Sequence, residues 1–148
     1  MIIDGKRASD RAIELILAYY AAFNRADWEG MLALLAEDVV HDLNQGEREI
    51  GRDAFRAFLQ RVDRCYSEQL GNIVVTATPD GTHAAAEYAV TGRYVAAEPG
   101  LPAAHGQRYR LAGGAFFAVR EGRIARVTNY YNLQDWIGQV ERAAGAEA

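Results

Sequence analysis

The chain has 148 residues, half of them hydrophobic and 24% charged, with a formal net charge of −4. That composition predicts one globular domain over residues 1–148, large enough for a core of its own. Mild acidity, a lone lysine at Lys6 and no basic stripe argue against nucleic acid and anionic membrane as partners, and no apolar run is long enough to span a bilayer.

The first residues, MIIDGKRASD, lack the basic, apolar and small-residue layout of a signal peptide, so a cytoplasmic protein is expected. Residues 1–8 read as a loose lead-in. Ser9 or Asp10 can cap a helix running to about Arg25, whose middle, AIELILAYYAAF, is apolar on nearly every side and so predicts burial on more than one face. Asp27 caps a short second helix ending near Glu37. Asp38 to Asp42 reads as a strand, and LNQGERE as a polar turn that places Asn44, Gln45 and Glu47 at a rim. Gly51-Arg52-Asp53 opens a third helix with an apolar stripe through Phe55, Phe58, Leu59, Val62, Cys65 and Tyr66. Cys65 on that stripe reads as core, and one cysteine excludes an internal disulfide.

Strand patterns follow. Asn72 to Thr78 and His83 to Ala97 flank the turn Pro79-Asp80-Gly81. The stretch EPGLPAAHGQ reads as a loop, long enough to act as a flap or reach a neighbour. Arg108 to Leu133 is a long hairpin around Glu121-Gly122. A two-residue loop sets Arg120 across from Arg123, Phe116 from Val127, Gly114 from Asn129 and Ala112 from Tyr131. Leu133 to Ala143 reads as a short helix with Trp136, Ile137 and Val140 on one side, and GAEA as a frayed tail. Helices followed by a mainly antiparallel sheet predict an α+β fold.

His41, His83 and His105 lack the short helical spacing of a zinc pair, and neither a phosphate-cradling glycine loop nor a serine elbow is present, so no metal and no cofactor is expected.

The segments ILAYYAAFNRADWEG, EDVVHDLNQGEREIGRDAFRAFL and GGAFFAVREGRIARVTNYYN resemble the nuclear transport factor 2-like superfamily, and within it the SnoaL-like polyketide cyclases and ketosteroid isomerases. The resemblance covers nearly the whole chain. It implies a cone-shaped α+β fold, with three N-terminal helices packed on a strongly curved, mainly antiparallel sheet that encloses a pocket. It also implies catalytic positions: Tyr19 as oxyanion donor and Asp42 as general base. Strand alternation then sets His41 outside or at the rim, or, if the strand breaks there, beside Asp42 as an acid–base partner. The family's second oxyanion acid falls at Gly114, or at Gly113 if the alignment slips, and is missing, with Asn129 opposite as a replacement donor. The pocket wall implied is Phe58, Tyr88, Val90, Tyr94, Ala112, Gly114, Phe116, Val127, Asn129 and Tyr131, with a recess at Gly114.

Two functions follow as expectations. One is a cofactor-independent isomerase, cyclase or dehydratase-like lyase that removes a proton next to a carbonyl of an apolar ligand. The other is a non-catalytic binder or assembly module of the same fold. The hairpin's second face, with Phe117, Ala115, Ile124, Thr128 and Tyr130, is expected to form a homodimer, with Glu87 and Arg93 offering polar contacts.

Overall fold

The computed structural model of the protein describes residues 2–3, 5–44 and 46–147, with side chains described from residue 5 to residue 143 except residue 45. The lead-in holds a two-residue ladder, β1 (Ile2–Ile3) with β2 (Lys6–Arg7), where the sequence suggested only loose chain. Helix α1 (Ala8–Asn24) follows at once, so the expected caps Ser9 and Asp10 lie inside its first turn, where the Asp10 charge suits the helix dipole. Ala12, Ile16, Tyr19, Tyr20 and Ala22 are buried, as an all-round apolar helix requires. Asp27 caps α2 (Trp28–Ala33) by accepting from the Gly30 amide at 2.9 Å.

Helix α2 stops at Ala33, short of the expected Glu37, because Leu35 already belongs to strand β3 (Leu35–Asp42). The polar turn after β3 folds back as β4 (Arg48–Ile50). Gly51, at φ 97°, leads into α3 (Arg52–Cys65). Phe55, Leu59 and Cys65 of that helix are buried. The strands β5 (Tyr66–Ala77), β6 (His83–Tyr94), β7 (Gln107–Arg120) and β8 (Arg123–Tyr131) complete the sheet, and α4 (Leu133–Glu147) ends the chain. The expected frayed tail is helical as far as Glu147, and Ala148 lies outside the described residues.

The six-stranded sheet runs β4-β3-β8-β7-β6-β5, antiparallel throughout except for β3 against β8. Register shifts in the β3–β8, β5–β6 and β7–β8 pairs bend it, since an extra residue on one strand increases local twist. The edge strand β5 is closed off by α1. The Asn24 amide donates to the Leu70 carbonyl at 3.0 Å and accepts from the Leu70 N–H at 2.8 Å, doing for that edge what another strand would do.

The long hairpin corrects one expectation. Glu121 and Gly122 both have positive φ, 53° and 74°, as a two-residue loop of this kind demands. Arg120 pairs with Arg123 as expected, but Ala118 then pairs with Arg126, leaving Ala125 as a bulge. The slip of one residue sets Ala115 across from Asn129, Gly113 across from Tyr131 and Phe117 across from Val127. A one-residue slip exchanges the two faces of a strand. Phe117 is therefore fully buried while Phe116 is 52% exposed. Gly114 and Phe116 face outward and leave the expected pocket wall, along with the recess predicted at Gly114. Phe117 and Ala115 likewise leave the outer face for the core.

The outer face instead carries Phe116 edge-on against Tyr130, with ring centroids 5.8 Å apart. Around the pair lie Asp42, Glu87 and Arg126: Thr128, across from Phe116, donates to Asp42 and accepts from Arg126, and Gly114, across from Tyr130, pairs with Glu87, whereas the expected contact Arg93 pairs with Arg108, far along the sheet. No helix of the described residues is long and apolar enough to cross a membrane.

Candidate functional site

The concave side of the sheet and helices α1, α3 and α4 surround a cavity of about 420 Å³. Tyr19, His41, Phe58, Tyr88, Val90, Asn129 and Tyr131 line it. Val127 lies in the core behind that wall, at 0% exposure. The connection between β6 and β7 turns inward over the cavity, contributing Glu98, Pro99 and Leu101. It is held there by the Tyr94 hydroxyl, which donates to the Pro102 carbonyl at 2.7 Å and accepts from the Glu98 amide at 2.9 Å.

Asp42 is not at the cavity. Side chains alternate along a strand, and in β3 it is Val39 and His41 that point inward. Asp42 points to the outer face, where Arg48 donates to it at 2.6 and 3.2 Å and the Thr128 hydroxyl at 2.7 Å. Those bonds hold its carboxyl below the usual range, so it is a charged, paired surface group. The expected base is thereby removed from the site.

His41 takes the inward place. Its ring stacks on Phe55 and tilts against Phe58, with centroid distances of 4.3 and 4.6 Å. The Asn129 amide donates to Nε2 at 3.1 Å, which leaves the imidazole proton on Nδ1. Nδ1 has no hydrogen-bond partner among the described residues, and Glu49 Oε1, also unpartnered, lies 3.9 Å away. Burial lowers the His41 pKa to about 4, against the opposing pull of the Asp42 charge and with a further push from Arg61. His41 is thus a neutral polar element of the wall at neutral pH.

The acidic group at the cavity is Glu68 of β5. Glu98, the other cavity carboxylate, is ion-paired to Arg61 at 2.8 Å and bonded by the Tyr66 hydroxyl. Among the described residues no cation pairs with Glu68. Its one side-chain partner is the Tyr109 hydroxyl, which donates to Oε2 at 2.5 Å. Burial raises the Glu68 pKa, and the Tyr109 bond offsets part of that rise. Tyr88 and Tyr131 feel its charge, and Tyr20 lies against Tyr88 with ring centroids 5.3 Å apart. The Tyr20 hydroxyl is within electrostatic reach of Tyr88 but makes no well-formed hydrogen bond.

Burial pushes Tyr88 up to about 12 and raises Tyr20 and Tyr131 as well. These phenols therefore remain donors at any physiological pH. Carboxyl and phenols together form a polar patch in a mostly apolar cavity. Such a patch can move a proton and hold a developing negative oxygen.

Glu68 and Tyr20 escaped the sequence reading. The sequence pattern predicts this strand from Asn72, whereas β5 begins at Tyr66 and carries Tyr66, Glu68 and Leu70 in alternation to the cavity. Extending the alternation back from Ile73 would have turned Gln69 and Ser67 inward instead, because the irregularity at Gly71 and Asn72 shifts its phase by one residue. Tyr20 follows Tyr19 on a helix buried all round, where periodicity does not choose between neighbours. Gln45, expected at the rim, lies outside the described residues, and Asn44 lines the cavity. Among the described residues no cluster of His, Cys, Asp or Glu could hold a metal ion.

Comparison with known proteins places the chain among relatives. The SnoaL-like domain family matches residues 16–127. A candidate polyketide cyclase from Xanthomonas campestris pv. campestris shares 63% identity over 90% of this chain and 98% of its own, with a TM-score of 0.88. Another from Pseudomonas putida shares 57% identity over 87% and 97%, with a TM-score of 0.86. A candidate ketosteroid isomerase from Kribbella flavida shares 25% identity over 85% and 81%, with a TM-score of 0.61. No curated protein matches significantly.

Proposed function

This chain belongs to the SnoaL-like family of the nuclear transport factor 2-like superfamily, and we propose that it is a cofactor-independent proton-transfer enzyme acting on an apolar, carbonyl-bearing small molecule. Glu68 is the acid–base group in this reading. The observation that carries it is a half-buried carboxyl with no cation partner among the described residues, facing a mostly apolar cavity beside tyrosine hydroxyls that stay protonated.

The ionised carboxylate takes a proton from the carbon next to the carbonyl. The C–H bond breaks and its electron pair moves into an enolate, whose oxygen accepts from Tyr88 or Tyr20. The protonated Glu68 then returns the proton to the same or a neighbouring carbon. A raised Glu68 pKa strengthens the base and brings it nearer the working pH. Apolar walls strengthen each hydrogen bond to the enolate. The polyketide cyclase and ketosteroid isomerase descriptions of the relatives agree with enolisable substrates.

β-Tetralone, a bicyclic ketone with acidic methylene protons, provides the test. In heavy water the protein should speed deuterium uptake next to its carbonyl, read by NMR, and β-naphthol should inhibit competitively as an enolate mimic. Tight β-naphthol binding with no exchange above buffer would instead support the non-catalytic binder.

We also infer a symmetric homodimer through the outer face at Phe116 and Tyr130. The mixed charges around that apolar pair let a twofold copy meet each sign with its opposite. Sedimentation should give a dimer at micromolar concentration, and a Phe116→Glu, Tyr130→Glu protein should sediment as a monomer. A wild-type monomer would end the idea.

A further inference from the structure

Glycine in the middle of a strand weakens it and asks for a reason. Gly92 of β6 has no positive φ to explain it. Its reason is space. It stands directly between Glu68 on β5 and Tyr109 on β7, paired with both. The Tyr109 ring lies across Gly92 to reach the next strand but one. A Cβ built on Gly92 would come within 2.5 Å of both Tyr109 Cζ and Oη, and within 2.7 Å of Cε2. No methyl group fits there unless the ring moves. Tyr109 itself is buried, packed edge-on against Trp136 with centroids 5.8 Å apart, and is not part of the cavity wall. Its hydroxyl approaches Glu68 from behind that wall and engages Oε2. On the far side of Glu68, the Asn24 clamp on Leu70 fixes the backbone two residues away.

We propose that Gly92 and Tyr109 are a positioning pair for Glu68: the missing side chain at Gly92 lets the Tyr109 hydroxyl hold Oε2, leaving Oε1 to the ligand. The inference rests on Glu68 as the acid–base group and extends that reading to two residues that touch no substrate. The titratable groups facing Glu68 are Tyr109 from β7, Tyr88 from β6 and Tyr131 from β8. Of these, Tyr109 alone is hydrogen-bonded to it among the described residues. The bond favours the carboxylate, so losing it moves the Glu68 titration to higher pH.

The test follows the Glu68 carboxyl carbon by NMR in protein labelled at glutamate, with the signal identified by its loss in Glu68→Gln. Tyr109→Phe and Gly92→Ala should both shift its midpoint to higher pH. Combined, they should shift it no further than Tyr109→Phe alone, because Gly92 acts through the hydroxyl. β-Tetralone exchange should fall about tenfold or more in each single variant, the cost of a loosened base. Tyr109→Phe adds no bulk, so it tests the bond even if Gly92→Ala does not fold. An unchanged midpoint in Tyr109→Phe, or a Gly92→Ala shift that adds to it in the double variant, overturns the pair. A midpoint that shifts in a protein without exchange activity keeps the pair and removes the reaction instead.

Discussion

Glu68→Gln will lower β-tetralone exchange by about 10²–10⁴, the usual worth of a positioned acid or base, while Asp42→Asn will leave it within about threefold. Glutamine matches glutamate in shape and can still accept from Tyr109, but it cannot take a proton. Asp42 lies on the other face of the sheet, tied to Arg48 and Thr128. Losing its charge costs an exposed ion pair, worth at most about 1 kcal/mol. The stability effects should run opposite to the activity effects. The folded-state pKa of Glu68 is raised by burial, so above the unfolded-state pKa the unfolded chain releases this proton more readily than the native one. Stability from this position is therefore lost as pH rises. Glu68→Gln removes that loss and should melt higher than wild type at pH near 8, with the gain fading toward pH near 4. An inactive protein that is more stable cannot owe its inactivity to unfolding, a known pattern where function requires a strained group. If Asp42→Asn were the variant that lost activity, Glu68 would be ruled out as the base.

The two carboxylates also show what the sequence could and could not convey. The order of elements was legible, because each had a periodic apolar pattern and a physical stop: Asp27 for α2, Gly51 for α3, Pro79-Asp80-Gly81 and Glu121-Gly122 for the turns. The faces of two strands were not. In β3, Val39 and Val40 are both apolar, so alternation did not say whether His41 or Asp42 faced inward. In the hairpin, Phe116 and Phe117 are adjacent and equally apolar. The face each takes depends on the bulge at Ala125, an unremarkable alanine whose extra place is set by the fit of β8 between β7 and β3. A resemblance aligned without that bulge carries every side chain beyond it to the opposite face. Contacts between distant segments were similarly out of reach: Asn24 with Leu70, Tyr109 with Glu68 across Gly92, and His41 with Asn129. Each joins residues that come together only once the sheet curves.

Lowering the pH from 7.5 to 4 will cost wild type about 3 kcal/mol of stability through His41 alone. The ring is 2% exposed, covered by Phe55 and Phe58, and burial depresses its folded-state pKa from 6.5 to about 4. Above pH 6.5 both folded and unfolded chains hold the neutral imidazole, and the group has no effect on the balance. Between 6.5 and about 4 the unfolded chain binds a proton that the native chain refuses, so stability falls with falling pH. Each unit of that gap is worth about 1.4 kcal/mol. The measurement is urea unfolding of wild type and His41→Gln at both pH values. Glu68, Asp42 and the other carboxyls titrate in both proteins, so the difference between the two reports His41. Wild type minus variant should drop by about 3 kcal/mol on acidification. The competing outcome has a structural cause. Glu49 Oε1 stands unpartnered 3.9 Å from Nδ1. If that gap closes into a charged hydrogen bond when His41 is protonated, the folded-state pKa rises and the drop disappears. A difference that is flat between pH 7.5 and 4 would mean that the folded ring takes its proton near the ordinary histidine value, as a His41–Glu49 ion pair would allow, and would overturn burial as the control on His41.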